Sequence, residues 1–177
     1  MLVKRDYESA FRHVPVSPLY SLLLGFEWQG TYYTERYLPF GLRTTPYLFS
    51  PLAEAFHWIL KDHFERMETE AEVIHYLDDF LIVLPPDSNS DACSTTFRDL
   101  STEVGFSIQE TKKEQGTVAR FAGIELNSHN MLIRLPTKQL PIPRFLVNQA
   151  MKCDCLSLRE LQTLTGYLNF VALVVPL

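Results

Sequence analysis

The chain has 177 residues, the size of one domain, and its 46% hydrophobic and 21% charged residues are typical of a globular protein with a core. The formal net charge of −5 argues against a free-standing nucleic-acid binder, although Lys4, Arg5 and Arg12 form a local basic cluster. The three cysteines are odd in number, and the pair Cys153-x-Cys155 has no second pair at zinc-finger spacing, so we expect reduced thiols.

The first part of the chain predicts a strand, an irregular segment and a hairpin. Residues 2–7 begin with the strand-like pair Leu2-Val3 and are expected to form a strand that ends at Asp6. Pro15 and Pro18 exclude a long helix from the next segment, because proline lacks the amide hydrogen and disrupts a helix interior. Aromatic strand-like runs on both sides of Gln29-Gly30 then predict a hairpin that turns at these two residues.

A long helix is predicted next, with two possible starts. Apolar residues recur every three or four positions between residues 48 and 64. Thr45 can cap this helix, but Pro51 then falls inside it, at a cost of about 3 kcal/mol. Alternatively, Ser50 caps a shorter helix whose first residue is Pro51.

Two adjacent acids, Asp78 and Asp79, interrupt a pair of apolar strands that follow this helix. Each unpaired carboxylate taken out of water costs several kcal/mol, and two neighbouring carboxylates repel each other. A fold that keeps such a pair therefore needs a counter-charge. A hard cation, Mg²⁺ or Mn²⁺, suits a cluster of bare oxygen atoms.

The rest of the chain predicts helices and strands in alternation. A second amphipathic helix ends at Gly105, and the pattern Ser157-Leu158-Arg159-Glu160 predicts a capped start for the last helix. Pro141 and Pro143 are expected to interrupt the segment before it. The expected strands are residues 106–109, 120–126 and 131–135. This order indicates an α+β fold, with helices on one face of a sheet.

Three aspartates form a candidate metal site. If the strand that ends at Asp6 lies beside the hairpin of Asp78 and Asp79, three carboxylates meet at one sheet edge and can hold two Mg²⁺ ions. Spacing alone leaves two other interpretations open: Asp6 as an ordinary strand-end acid, and the acidic pair as a solvated turn.

Four short blocks occur in a recognisable order. The blocks are Asp6-x-x-x-Ala10-Phe11, Leu38-Pro39-Phe40-Gly41-Leu42-Arg43-x-x-Pro46, Tyr76-Leu77-Asp78-Asp79 and Phe121-Ala122-Gly123-Ile124. Together they resemble the palm domain of a reverse transcriptase, an RNA-directed DNA polymerase. The resemblance is to enzymes of retrotransposons, of the long-terminal-repeat or tyrosine-recombinase kind.

The resemblance implies a domain organisation and a set of partners. Residues 1–135 are expected to form the palm, a ferredoxin-like antiparallel sheet with helices on one face, and residues 136–177 the beginning of a thumb or connection. The expected partners are an RNA or DNA template with its primer and deoxynucleoside triphosphates, with no membrane. The fingers are largely missing, so we expect a piece of a longer polyprotein with RNase H and integrase or recombinase regions.

The resemblance also implies a role for each site residue. The catalytic and metal-binding acids are Asp6, Asp78 and Asp79; the nucleotide-binding residues are Ala10, Phe11, Phe40 and Gly41; the template and primer contacts are Arg43, Tyr76, Phe121 and Gly123. Phe11 would exclude a ribose 2′-hydroxyl. Lys112 matches a lysine that can act as a general acid toward pyrophosphate, although the sequence favours a solvated loop lysine at this position.

The implied reaction is template-directed addition of deoxynucleotides to a primer 3′-hydroxyl by two-metal catalysis. An alternative is a catalytically inactive retroelement remnant that acts, if at all, as a binding scaffold. A third interpretation, a two-metal nuclease, leaves Phe11 and the Pro39-Phe40-Gly41 loop without a role.

Overall fold

Residues 1–174 are described in the computed structural model, so the last three residues of the apolar C-terminal run lie outside it. The contacts divide the chain into two units, Met1–Gly116 and the residues from Thr117 onward. In the first unit the strands are β1 (Leu2–Asp6), β2 (Gly25–Trp28), β3 (Thr31–Thr34), β4 (Glu72–Tyr76), β5 (Asp79–Val83) and β6 (Glu114–Gly116). Its helices are α1 (Pro18–Ser21), α2 (Thr45–Arg66) and α3 (Ser90–Glu103).

The four central strands form an antiparallel sheet in the order β4-β5-β1-β6. The helices α2 and α3 pack on one face of it, as the sequence predicts. Val3, Phe80 and Ile82 point toward these helices and are fully buried. Since side chains alternate along a strand, Lys4 and Asp6 lie on the opposite face.

Aromatic side chains fill the space between the helices and the sheet. The rings of Tyr7, Phe56, Phe80 and Phe97 lie 5.3–5.8 Å apart between centroids. Most of these pairs meet edge to face, the arrangement that aromatic quadrupoles favour. This cluster is the centre of the core of the first unit.

The long helix α2 begins at Thr45, so the longer of the two predicted helices is correct. Thr45 is its first residue and not its cap: the Thr45 hydroxyl donates to the carbonyl of Pro39 at 3.0 Å. Pro51 therefore lies inside the helix. Its cost is offset because the helix buries Phe49 and Phe56 on either side of it, each worth about 2–3 kcal/mol.

Two predictions in the second half of the first unit need correction. Residues 106–109 are not a strand; Ile108 makes only an isolated bridge with Tyr7. The ladder with β1 is instead made by β6, which the sequence did not predict. A 3₁₀ turn, Glu110–Lys112, separates the bridge from β6, and it brings Lys112 close to the end of β1.

The second unit contains three strands and two helices. They are β7 (Val118–Phe121), β8 (Ile124–Asn127), β9 (Leu132–Arg134), α4 (Pro141–Ala150) and α5 (Leu158–Ala172). The strands form an antiparallel meander. The predicted capping box is present, since the Ser157 side chain accepts from the Glu160 amide and the Glu160 carboxylate accepts from the Ser157 amide. No helix within residues 1–174 is long and apolar enough to cross a bilayer.

Two further expectations for this unit were wrong. The single strand expected over residues 120–126 is a hairpin that turns at Ala122-Gly123. Pro141 and Pro143 do not interrupt a helix but begin α4. Both prolines lie in the first turn, where amide hydrogens have no helical partner in any case.

The hairpin turn requires glycine at position 123, where φ is +80° and an added Cβ would lie 3.1 Å from the Phe170 ring. We expect Gly123→Ala to lower the free energy of unfolding by about 1–2 kcal/mol. Gly166 is the matched control: it lies in α5 with open space around it, so Gly166→Ala should stabilise the chain by about 0.5–1 kcal/mol. Urea unfolding measures both values, and equal effects of the two substitutions would contradict this assignment.

Candidate active site

Strand pairing brings the three predicted acids to one edge of the central sheet. Asp6, the last residue of β1, is paired with Asp79, the first residue of β5. Paired residues of antiparallel strands have Cα atoms about 4.5–5.5 Å apart and side chains on the same face. Asp78 lies in the adjoining turn, close enough to Asp6 and Asp79 for their charges to raise the pKa of its carboxyl group. The three carboxylates therefore converge, as the sequence predicts.

The turn between β4 and β5 is tight and strained. It consists of Leu77 and Asp78, since Tyr76 and Asp79 are already paired. Leu77 has a φ of +55°, a left-handed conformation that costs a residue with a Cβ about 1–2 kcal/mol. The Tyr7 amide donates to the Asp78 carbonyl at 3.3 Å, which ties the turn to the end of β1.

Two lysines supply positive charge to the acids. The Lys4 ammonium lies 3.0 Å from Asp79 Oδ1 and 3.7 Å from Asp6 Oδ2. The Lys112 ammonium donates to Asp6 Oδ2 at 2.8 Å. Lys4 is buried, whereas the Lys112 side chain is about half exposed. Lys112 is thus exposed, as a loop lysine would be, but it also makes an ion pair with Asp6.

The surroundings favour the neutral form of Asp78 and the charged form of Lys112. Burial, together with the carboxylates of Asp6 and Asp79, raises the pKa of Asp78. The hydrogen bond with Asp6 raises the pKa of Lys112. The protein thus disfavours the negative charge on Asp78 and favours the protonated form of Lys112.

The donor set fits a hard divalent cation. Asp6 is only 3% exposed, and its Oδ1 atom is buried without a hydrogen-bond partner. An unpartnered buried carboxylate oxygen is rare in folded proteins and calls for a further ligand. Three carboxylates that offer only oxygen atoms are the ligands that Mg²⁺ and Mn²⁺ prefer.

The predicted nucleotide-binding residues also lie together. The Phe11 ring is 5.1 Å from the Phe40 ring and 5.6 Å from the Phe49 ring of α2, between centroids. Ala10 is buried in the 3₁₀ turn that follows β1. Gly41 has a φ of +88°, so the loop after Phe40 uses a conformation that glycine adopts readily.

The predicted template and primer residues are divided between the two units. Tyr76 is 62% exposed and pairs with Asp79 across the acidic hairpin. Arg43 is exposed, two residues before α2. Phe121 and Gly123 belong to the β7–β8 hairpin of the second unit.

Sequence reasoning missed Lys4 as a member of the site and grouped it only with nearby basic residues. The available signal was its spacing. Lys4 precedes Asp6 by two residues on one strand, which places both side chains on the same face. A lysine at this position can neutralise acids at the strand end.

The model of the reverse transcriptase (RNA-dependent DNA polymerase) family matches residues 1–146. The chain belongs to this family. The match contains all three acids, the lysines that pair with them and the Phe11–Phe40 contact. No curated protein sequence matches the chain.

Solved structures of reverse transcriptases have the same fold. The foamy viral protease-reverse transcriptase in complex with an RNA/DNA hybrid has a TM-score of 0.63 and 17% identity, over 96% of this chain and 21% of that one. The foamy viral enzyme in complex with double-stranded DNA has a TM-score of 0.63 and 19% identity, over 96% of this chain and 32% of that one. The chain thus spans less than a third of the length of these relatives.

Repulsion among the acids has a consequence for stability. A carboxyl group whose pKa is raised in the fold favours the folded state at low pH, and this contribution is lost as pH rises through the raised pKa. In a chelator at neutral pH we expect Asp78→Asn to raise Tm by about 1–2 °C, the change that about 0.5 kcal/mol produces at this chain length. Lowering the pH toward the raised pKa should shrink the difference.

Asp87→Asn is the matched control, because Asp87 is exposed in the loop after β5. Its Tm should be that of the parent chain at each pH. Differential scanning fluorimetry in chelator measures all three proteins. A lower Tm for Asp78→Asn would show that the fold does not oppose the charge on Asp78.

Proposed function

We propose that this chain is the palm of an RNA-directed DNA polymerase from a retrotransposon polyprotein, with the start of the thumb or connection from about residue 136. It adds deoxynucleotides to the 3′-hydroxyl of a primer paired with an RNA or DNA template. The observation that carries this proposal is the pairing of Asp6 with Asp79 beside the turn that holds Asp78.

The three acids are proposed to hold two Mg²⁺ ions, with Mn²⁺ as a substitute. When bound, the ions would activate the 3′-hydroxyl and neutralise charge on the triphosphate. Asp6 is held rigidly by the strand pairing of β1, and its free Oδ1 atom is available as a ligand. Lys4 keeps the carboxylates neutralised in the absence of substrate, so the strands can remain paired.

Lys112 is proposed as the proton donor to pyrophosphate. Its ammonium is protonated at neutral pH, which is the state a general acid requires. The hydrogen bond with Asp6 raises the pKa of Lys112 and so opposes proton release while it lasts; the side chain is about half exposed and can turn from Asp6 toward a substrate, which would remove this effect. Its hydrogen bond with Asp6 places it beside the acids beforehand.

Phe11 is proposed to select the sugar of the incoming nucleotide. Its ring is held from two sides by Phe40 and Phe49, so it cannot move aside for a ribose 2′-hydroxyl without losing these contacts. Ala10 and Gly41 would form the backbone walls of this pocket. Arg43, Tyr76, Phe121 and Gly123 are proposed to contact template and primer.

Primer extension tests the catalytic proposal. On a poly-rA template with an oligo-dT primer and Mg²⁺, Asp78→Asn should reduce extension at least ~100-fold, or about 2.7 kcal/mol of transition-state stabilisation. Asp87→Asn, which removes one exposed carboxylate, should extend like the parent. Equal extension by Asp78→Asn and the parent would contradict the assignment of the acids.

The same assay separates the alternatives. If no variant extends the primer but the parent chain binds the template–primer duplex, the inactive scaffold is the correct interpretation. Cleavage of the nucleic acid without nucleotides would indicate a nuclease.

Sugar selection is tested with ribonucleotides. Phe11→Val should raise the kcat/KM for a ribonucleotide relative to its deoxynucleotide at least ~10-fold, because the smaller side chain leaves room for the 2′-hydroxyl. Phe145→Val, at an exposed phenylalanine of α4, is the control and should leave the ratio unchanged. An active Phe11→Val protein with the parental ratio would remove Phe11 from this role.

A further inference from the structure

A second group of ligand-type side chains lies on the helix-covered face of the central sheet. Glu54 and His57 are three residues apart on α2, so they share one side of the helix. His75 lies on β4, the strand against which α2 packs. Each of the three residues offers one ligand atom, and these atoms all lie within 4.8 Å of one another.

The two imidazoles face each other through their nitrogen atoms. His57 Nδ1 lies 2.8 Å from His75 Nδ1, and the ring planes are inclined by 82°. A carboxylate oxygen of Glu54, Oε1, lies 3.7 Å from His75 Nε2. Glu54 thus approaches the other ring nitrogen of His75 from the one that faces His57. One ligand atom from each of the three residues still lies within 4.8 Å of the other two, and two imidazoles with one carboxylate are the protein ligands of a class of three-ligand zinc sites.

The surroundings hold the histidines in position. The ring of His75 stacks on Phe80 at 5.2 Å between centroids, with 18° between the planes, and Phe80 is fully buried in the core. The contact between the two Nδ1 atoms requires one of them to be an unprotonated acceptor, and an unprotonated ring nitrogen is the form of histidine that binds a metal ion. The Glu54 side chain is 70% exposed, which leaves the group open to ions from solvent.

We propose that Glu54, His57 and His75 bind one zinc-class divalent ion. Nitrogen ligands favour Zn²⁺ and its neighbours over Mg²⁺, which prefers oxygen. His75 is paired with Phe80, so it lies on the face of the sheet opposite Asp6 and Asp79. The site is therefore distinct from the candidate active site and does not depend on the proposed polymerase function.

The ion would add a bridge of metal ligands between two elements that already meet by packing and through the contact between His57 and His75. It ties α2 to β4, and β4 leads directly into the Tyr76-Leu77-Asp78-Asp79 hairpin. Because an ion that binds only the folded chain stabilises it by mass action, zinc should raise Tm as its concentration rises above Kd.

The test uses the whole chain in a Cys153→Ser, Cys155→Ser background, because both thiols are exposed and could compete for zinc. Millimolar Mg²⁺ is present to occupy the acids of the candidate active site. Calorimetric titration with ZnCl₂ should then give one ion per chain. Glu54→Gln and His57→Gln should each weaken binding at least ~10-fold, since even loss of a second-shell partner costs metal sites roughly 10–100-fold.

The matched controls are His63→Gln and Glu65→Gln. Both residues lie on α2 but outside this group of ligands, so zinc affinity should not change. Replacing zinc with Co²⁺ should give the visible absorption of a nitrogen-ligated ion, and the band should be lost in His75→Gln. Tm in chelator shows that each variant is folded; Glu54 is exposed, so its variant should keep the parental value.

Two results would overturn the proposal. One is the absence of zinc binding by the folded parent chain. The other is an unchanged Kd in Glu54→Gln and His57→Gln. In either case the two histidines form only a hydrogen bond between α2 and β4.

Discussion

The structure depends on the antiparallel pairing of β1 with β5, which forces Asp6 and Asp79 to face each other. Coulomb repulsion opposes this pairing by about 1 kcal/mol at 4 Å in water and by several times more near a protein surface. Each of the aromatic side chains Phe56, Phe80 and Phe97, buried on the other face, contributes about 2–3 kcal/mol. Burial therefore outweighs repulsion, and the fold can hold an acidic edge because its opposite face is a dense aromatic core.

The two faces of β1 separate the residues that stabilise the core from the residues of the candidate active site. Along β1, Val3 enters the core while Lys4 and Asp6 lie on the face with the acids. A substitution in the core and one among the acids thus act on different properties, although the residues are neighbours in the chain.

Local signals made much of the fold predictable from the sequence. The hairpin at Gln29-Gly30, the amphipathic α2 and the capping box at Ser157 are each encoded within a few residues, and all are present. The errors arose where contacts with residues far away in the sequence determine the local structure. Strand β6 is three residues long and exists because β1 offers an open edge, and Lys112 reaches Asp6 only through the turn before β6. Spacing alone could not show that the acids converge; the family resemblance implied it, and the register that pairs Asp6 with Asp79 depends on contacts between strands far apart in the sequence.

Lys4 has a consequence for how the acidic edge takes up ions. Its ammonium already lies 3.0 Å from Asp79 and 3.7 Å from Asp6. A divalent ion that binds these acids must therefore displace the lysine ammonium. Uptake is then an exchange of cations and not the filling of an empty cleft. An ammonium on a flexible stem can withdraw without breaking any backbone hydrogen bond, so the exchange leaves the strands in register while the charge on the edge is replaced.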